Sequence, residues 1–241
     1  MRQGVYTVKS NRLIARDTWE MRLEGDTSAL SNPGQFVNVR VGSAYLRRPF
    51  SPAAWDKESM TLIYKVVGLG TDWLAHCQMG DNLDLLTGLG RGYDTGSSGS
   101  HPLLIGGGIG LPPLYQLAVE LLLEGKQPRL IMGFGSVEDI FYHQEFAALL
   151  PVTIMTVDGS AGNRGLVTDA PLQEEDSYLY ACGPIMMLKA LCRIPLPGQL
   201  SMEERMGCGF GACMGCTINT TKSPQRVCKE GPVFRKEELI W

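Results

Sequence analysis

Between residues 4 and 90 the chain is written in short runs of strand-like pattern. Phe36-Val37-Asn38-Val39-Arg40-Val41 alternates apolar and polar, and Leu62-Ile63-Tyr64-Lys65-Val66-Val67 is rich in β-formers; Asn32-Pro33-Gly34 and Gly80-Asp81 punctuate the runs with turn residues. Several short strands at this spacing predict a small antiparallel barrel or sandwich. One helix interrupts them over Thr71–Cys77, with Thr71 placed to cap it. The polar stretch 94–100, Asp-Thr-Gly-Ser-Ser-Gly-Ser, reads as a linker.

Beyond the linker the rhythm becomes apolar strand, glycine turn and helix. Strands are expected at 102–105, 130–132, 152–157 and 179–181, and helices at 114–124, 140–150 and 185–192. Alternating β and α segments predict a parallel sheet covered by helices. The last forty residues carry little periodicity, as expected of a segment folded around a metal centre. The expected units are thus an all-β domain over residues 1–98, an α/β domain over 99–198 and a terminal segment over 199–241.

Composition narrows the function. Twenty-two Lys and Arg against 25 Asp and Glu give a net charge of −3, so no basic field is available for a nucleic-acid backbone or an anionic membrane. No run approaches the length of a membrane span, and the first residues lack the apolar core of a secretion leader, so a reducing cytoplasmic setting is expected. In that setting seven cysteines, four of them between positions 208 and 228, indicate a metal or redox site rather than disulfides. The 29 glycines predict tight turns and close backbone approaches to ligands.

Cys208, Cys213, Cys216 and Cys228 follow the C-x4-C-x2-C…C spacing of a plant-type [2Fe–2S] centre. Gly207, Gly209, Gly211 and Gly215 between them let the loop wrap tightly and aim backbone N–H groups at the sulfurs. A structural zinc site is the alternative, although zinc ligands usually come as two separated pairs. Cys77 and Cys192, in apolar helical contexts, read as core residues.

Two further constellations carry chemistry. Arg47-Arg48-Pro49-Phe50-Ser51 offers a cation for a phosphate, an aromatic to cover a flat ring and a hydroxyl to reach a ring nitrogen. The strand residues Ile63, Tyr64 and Lys65 and the turn with Gly70 and Thr71 could complete a flavin site, with the helix start near a pyrophosphate. Gly106-Gly107-Gly108-Ile109-Gly110-Leu111-Pro112-Pro113 lies between a strand and a helix, where Gly107, Gly108 and Gly110 could approach a nicotinamide nucleotide. It departs from the G-x-G-x-x-G fingerprint, so a plain glycine-rich turn stays open.

Together these pieces resemble the ferredoxin reductase-like flavoproteins, in which a flavin-binding barrel precedes a nicotinamide-binding α/β domain. The family's arginine-x-aromatic-serine motif is matched by Arg48, Phe50 and Ser51, and its late Cys-Gly-Pro by Cys182, Gly183 and Pro184. Lys65 stands where an arginine is common. With the cysteine cluster and the tail over 226–234, the chain is similar to the electron-transfer subunits of NAD-linked, two-component dihydroorotate dehydrogenases. That resemblance implies FAD, a [2Fe–2S] cluster and NAD as cofactors. It also implies an FMN-containing catalytic subunit as partner, with two copies of each in a heterotetramer. Single-electron transfer needs the cluster near both flavins, so the 202–228 segment is expected at the contact, with Met206, Phe210 and Met214 as candidates to be covered there; packing around the cluster within the chain is the alternative. A flavin and iron–sulfur subunit of a sulfhydrogenase- or transhydrogenase-type complex is the related alternative. Asp158, after a strand end, is expected to favour NAD over NADP by repelling a 2′-phosphate.

Overall fold

The computed structural model describes all residues, Met1–Trp241. Its first half is a curled antiparallel sheet, a half-barrel. The strands are β1 (Arg2–Ala15), β2 (Thr18–Glu24), β3 (Phe36–Val39), β4 (Arg48–Phe50), β5 (Ala54–Trp55), β6 (Ser59–Lys65) and, after helix α1 (Leu69–Ala75), β7 (Asn82–Leu89). They run in the order β4-β3-β7-β1-β2-β6-β5, so the hydrogen-bonded ladder stays open between β4 and β5. The alternation over 36–41 has its expected effect: Val37, Val39 and Val41 enter the core of the half-barrel with Tyr6, Val8, Leu62 and Tyr64. The opposite face of β3 does not meet solvent, because Phe36 packs in the core of the second half and Asn38 is buried.

The second half is a sheet of β8 (Pro102–Gly107), β9 (Arg129–Phe134), β10 (Val152–Thr156), β11 (Asn163–Arg164), β12 (Tyr178–Cys182) and β13 (Gly198–Ser201), all parallel. Their side chains alternate between two cores. Leu103, Ile105, Ile131, Leu179 and Ala181 face helix α4 (Ile185–Leu191); Leu104, Leu130, Met132, Tyr178 and Tyr180 face helices α2 (Pro112–Leu123) and α3 (His143–Ala147). A parallel sheet is stable only when both faces are covered, and here both are.

Helix α1 starts two residues earlier than expected, so its N-cap is Gly68 and Thr71 lies in its first turn. Two further segments differ from the pattern read along the sequence. The helix expected over 140–150 is reduced to α3, because Tyr142 turns into the left-handed region at φ 57°. That turn lets the Tyr142 hydroxyl donate to Glu20 at 2.6 Å while its ring packs on Tyr115. In the tail, a hairpin of β14 (Thr217–Ile218) and β15 (Gln225–Arg226) is followed by β16 (Val233–Arg235), which adds antiparallel to β13. Val233 and Phe234 thereby become core residues of the second sheet.

An ionic clamp holds the halves together. Arg16 on the half-barrel reaches Asp139 at 2.6 Å and Glu138 at 2.8 Å, and Lys65 reaches Asp139 at 3.3 Å. Burial raises the pKa of the Asp139 carboxyl, but the Arg16 hydrogen bond and then Lys65 outweigh it and hold the pKa below the ordinary value of 3.8. A depressed native pKa contributes stability that is complete above the unfolded value and is lost as pH falls through and below it. Thermal melts of the wild type are therefore expected to fall more steeply between pH 5 and pH 3 than those of Asp139→Asn. Parallel profiles would show that the clamp is energetically silent.

Candidate functional site

The cleft between the two sheets has a volume of about 560 Å³, within the range of cofactor sites. The half-barrel supplies Arg48 to Ser51 from β4 and its exit, Ile63 to Lys65 from the end of β6, and Thr71 from α1. Across from them stand Gly107, Gly108 and Gly110 at the end of β8, and Cys182, Gly183 and Pro184 at the end of β12. These are the carboxyl ends of parallel strands, where open α/β sheets bind ligands. Arg47 of the flavin motif turns away to pair with Asp84 at 2.8 Å, and Gly70 is not on the wall either. Gly70 lies behind Arg48, whose Nε would sit 3.0 Å from a Cβ at that position.

The side chains are held from behind. Tyr64 donates its hydroxyl to Asn11 at 2.9 Å and packs edge-on to Phe50 with centroids 5.9 Å apart. Burial raises the Tyr64 pKa, so its phenol stays protonated at neutral pH. Thr71 Oγ1 accepts from the N–H of Val67 at 2.9 Å and donates to the Gly68 carbonyl, fixing the turn before α1. Arg48 donates to the carbonyl of Leu46 at 2.8 Å, which leaves the rest of its guanidinium available to the cleft. Burial pushes the Cys182 thiol up to about 12, with the Ser201 hydroxyl a partial offset. At neutral pH it is an uncharged thiol on the wall of the cleft.

A second cleft of about 470 Å³ lies on the far side of the glycine turn and shares Lys65, Gly107, Gly108, Ile109 and Pro184 with the first. Two flat groups placed one in each cleft would therefore meet over the turn. Gly110 explains the tightness of this junction: a Cβ there would stand 2.3 Å from the Cys182 carbonyl oxygen and 2.5 Å from the Gly183 nitrogen. Only glycine permits that approach. Asp158 is not on the wall of the second cleft, but its neighbour Val157 is. Its carboxylate accepts from the Ser160 hydroxyl at 2.6 Å and the Ser160 N–H at 2.9 Å, which lower its pKa and keep it anionic at the rim.

Sequence reasoning missed part of the first cleft. Phe36, Ser201, Met202, Glu203, Glu204 and Met206 also line it. Ser201 ends β13, a strand of only four residues whose carboxyl end faces the cleft like those of β8 and β12, and the last four follow it. The signal was present in the rule that ligands gather at such ends, but β13 has too little pattern to be recognised as a strand.

The four cysteines of the 208–228 segment form two pairs, and no three His, Cys, Asp or Glu side chains converge on a single ion position. In the outer pair, the Cys208 N–H donates to Cys213 Sγ at 3.4 Å, and the N–H groups of Ala212 and Cys213 donate to Cys208 Sγ at 3.2 and 3.4 Å. In the inner pair, the Cys228 N–H donates to Cys216 Sγ at 3.4 Å. Burial opposes ionisation of Cys208, but the surrounding N–H groups outweigh it and hold its pKa down to about 6. Cys228 is pushed up to about 12 by burial and by the Cys216 thiol beside it. Cys213 is exposed, whereas Cys216 and Cys228 are each only 2% exposed and belong to the core that contains Phe36. Two thiol pairs wrapped in N–H donors suit a two-iron cluster; a single tetrahedral zinc would need four donors around one point. Arg226 braces the loop by donating to the Gly211 carbonyl at 2.6 Å and pairing with Glu230 at 2.5 Å.

This architecture is that of the ferredoxin reductase-like flavoproteins. A structure of an NADH-dependent reduced ferredoxin–NADP oxidoreductase superimposes with a TM-score of 0.90 at 28% identity, over 99% of this chain and 90% of the other. The FAD- and NAD-binding domain of nitric oxide dioxygenase from Vibrio cholerae shares the fold with a TM-score of 0.68 at 21% identity, over 81% of this chain and 95% of that one. Residues 203–240 match the iron–sulfur cluster binding domain of dihydroorotate dehydrogenase B, and residues 104–193 match the oxidoreductase NAD-binding domain. The electron transfer subunit of dihydroorotate dehydrogenase B (NAD(+)) from Bacillus caldolyticus is 44% identical, and that from Fusobacterium nucleatum 41%; each alignment covers 97% of this chain and at least 96% of the relative. The chain belongs to the family of dihydroorotate dehydrogenase B electron transfer subunits.

Proposed function

We infer that this protein passes electrons between a dihydroorotate-oxidising catalytic subunit and NAD⁺, through a [2Fe–2S] cluster and FAD, in the synthesis of pyrimidines. The observation that carries the reading is the order of sites in one chain: a cleft lined by the flavin motif, a second cleft sharing the glycine turn, and two thiol pairs whose inner members lie in the same core as Phe36 of the first cleft. Bound there, FAD exchanges electron pairs with a nicotinamide and single electrons with an iron–sulfur cluster. The relatives named for this activity span nearly the whole chain, which favours the reading over a sulfhydrogenase- or transhydrogenase-type complex.

The residues divide the work as follows. Arg48 holds a flavin phosphate, Phe50 and Tyr64 cover the ring, and Pro49, Ser51, Ile63 and Lys65 with the Gly70–Thr71 turn close the rest of the site. Gly107, Gly108 and Gly110 admit the nicotinamide against the flavin, with Cys182, Gly183 and Pro184 behind it as a neutral wall. Cys208, Cys213, Cys216 and Cys228 ligate the cluster. The apolar side chains Phe210 and Met214, each about half exposed beside it, cover the contact with an FMN-containing catalytic subunit in a complex of two copies of each chain. Met206 instead packs within the chain, against the core that holds Cys216 and Cys228. No helix is long and apolar enough to cross a membrane, and seven cysteines outside any disulfide suit the reducing cytoplasm.

Two outcomes follow directly. Arg48→Ala removes a charge-assisted hydrogen bond of about 1.5–3 kcal/mol, so FAD should dissociate roughly 10- to 100-fold more readily on gel filtration. Equal retention would make Arg48 a surface arginine. With Asp158 anionic at the rim, NADH should be used with higher kcat/KM than NADPH, and Asp158→Asn should narrow the gap; equal use of both by the wild type would refute the assignment.

A further inference from the structure

Asn38 lies between the two redox sites, and nothing assigned so far uses it. It is 1% exposed on β3, and the register places it opposite Pro49 of the flavin-motif strand β4. Its side chain leaves β3 on the face away from the half-barrel core and meets the cluster loop. There Asn38 Nδ2 donates to the Cys208 carbonyl at 3.4 Å. Gly209, at φ 78°, is pressed onto the same carboxamide so closely that a Cβ would lie 1.9 Å from Asn38 Nδ2. Phe36, on the same face of the strand, lines the flavin cleft and packs in the core that contains Cys216 and Cys228. A single strand thus touches the flavin motif on its edge and the cluster loop on its face.

The chemistry of the carboxamide argues against a packing role alone. Asn38 Oδ1 is the one buried side-chain polar atom in the chain without a hydrogen-bond partner. A leucine of similar shape would fill the space without burying an orphan acceptor. What leucine could not supply is the donor to the Cys208 carbonyl. That bond anchors the start of the loop whose following N–H groups, at Ala212 and Cys213, converge on Cys208 Sγ. Hydrogen bonds to cluster sulfurs, with solvent exposure, set the reduction potential of such centres.

We propose that Asn38 is a positioning residue for electron transfer: its carboxamide locks Cys208–Gly209 to the strand beside the flavin motif and so sets the reduction potential of the cluster. The proposal rests on the assignment of a [2Fe–2S] cluster and FAD to this chain. Asn38→Leu is expected to fold and to keep wild-type iron, sulfide and FAD, the removal of the orphan Oδ1 being set against the Cys208 carbonyl left without its donor. Its cluster should nevertheless show a more negative midpoint potential and altered g-values in the reduced EPR spectrum. Should Asn38→Leu not fold, Asn38→Ala decides by the same two readouts. Wild-type potential and g-values in a loaded variant would overturn the proposal and leave the cluster assignment intact. Loss of the cluster from both variants would also overturn it, by making Asn38 part of what retains iron. Absence of iron and sulfide from the wild type would instead remove the assignment on which it rests.

Discussion

Cys213→Ser should lose most of its bound iron and sulfide while retaining its FAD. Cys213 is the exposed member of the outer pair, so a serine there disturbs no core packing and the loss can be read as chemistry. Without that thiolate one iron keeps a single cysteine, Cys208, and serine oxygen is a poor replacement for soft sulfur. None of the four cysteines lines the flavin cleft, which explains the expected independence of FAD. Metal and sulfide analysis beside the flavin absorbance measures both at once. Unchanged iron in the variant would remove Cys213 from the ligand set. Cys228→Ser would be less informative, because a polar oxygen in that buried position also destabilises the core.

The second large effect is expected at Gly110. Any side chain there must displace the Cys182–Gly183 backbone, since its Cβ would come within 2.5 Å of three backbone atoms. Overpacking against an obstacle that cannot rotate away costs about 1–3 kcal/mol or more. The displaced segment lines the first cleft, and Gly107 and Gly108 of the same turn line both. Gly110→Ala is therefore expected to raise KM for NADH or lower kcat by roughly tenfold or more, with iron and FAD content preserved. Wild-type NADH kinetics would show that the junction of the clefts does not hold the nicotinamide.

Much of this arrangement was legible in the sequence, and the remainder was hidden for identifiable reasons. The Cys-x4-Cys-x2-Cys spacing is local, so it survives without any knowledge of the fold. The residues from β4, β6, β8 and β12 lie at strand ends marked by glycine, proline or an arginine, and periodicity located those ends well. What periodicity could not reveal was what covers a face. The alternation over 36–41 made Asn38 a polar residue on an outward face, yet a loop from 170 residues further on buries it. Short strands were equally opaque: β16 has three residues, and its place beside β13 depends on Val233 and Phe234 finding the cores of a sheet formed long before them in the chain. For the same reason a chain cut near Leu200 would lose core as well as cluster, and single substitutions are the cleaner test. In the 140–150 segment, Tyr142 left the expected helix because its hydroxyl and ring find partners on the half-barrel and on α2, a tertiary gain that local propensity does not register.

On this reading one chain connects a nicotinamide to a one-electron centre through a flavin. Anaerobic titration of the purified protein with NADH, followed by visible absorbance and EPR together, tests it most directly. The account predicts bleaching of the flavin together with the signal of a reduced [2Fe–2S] cluster in the wild type, and bleaching without that signal in Cys213→Ser. A colourless protein holding zinc, or a wild type whose flavin bleaches while no cluster signal develops even with a chemical reductant, would contradict it.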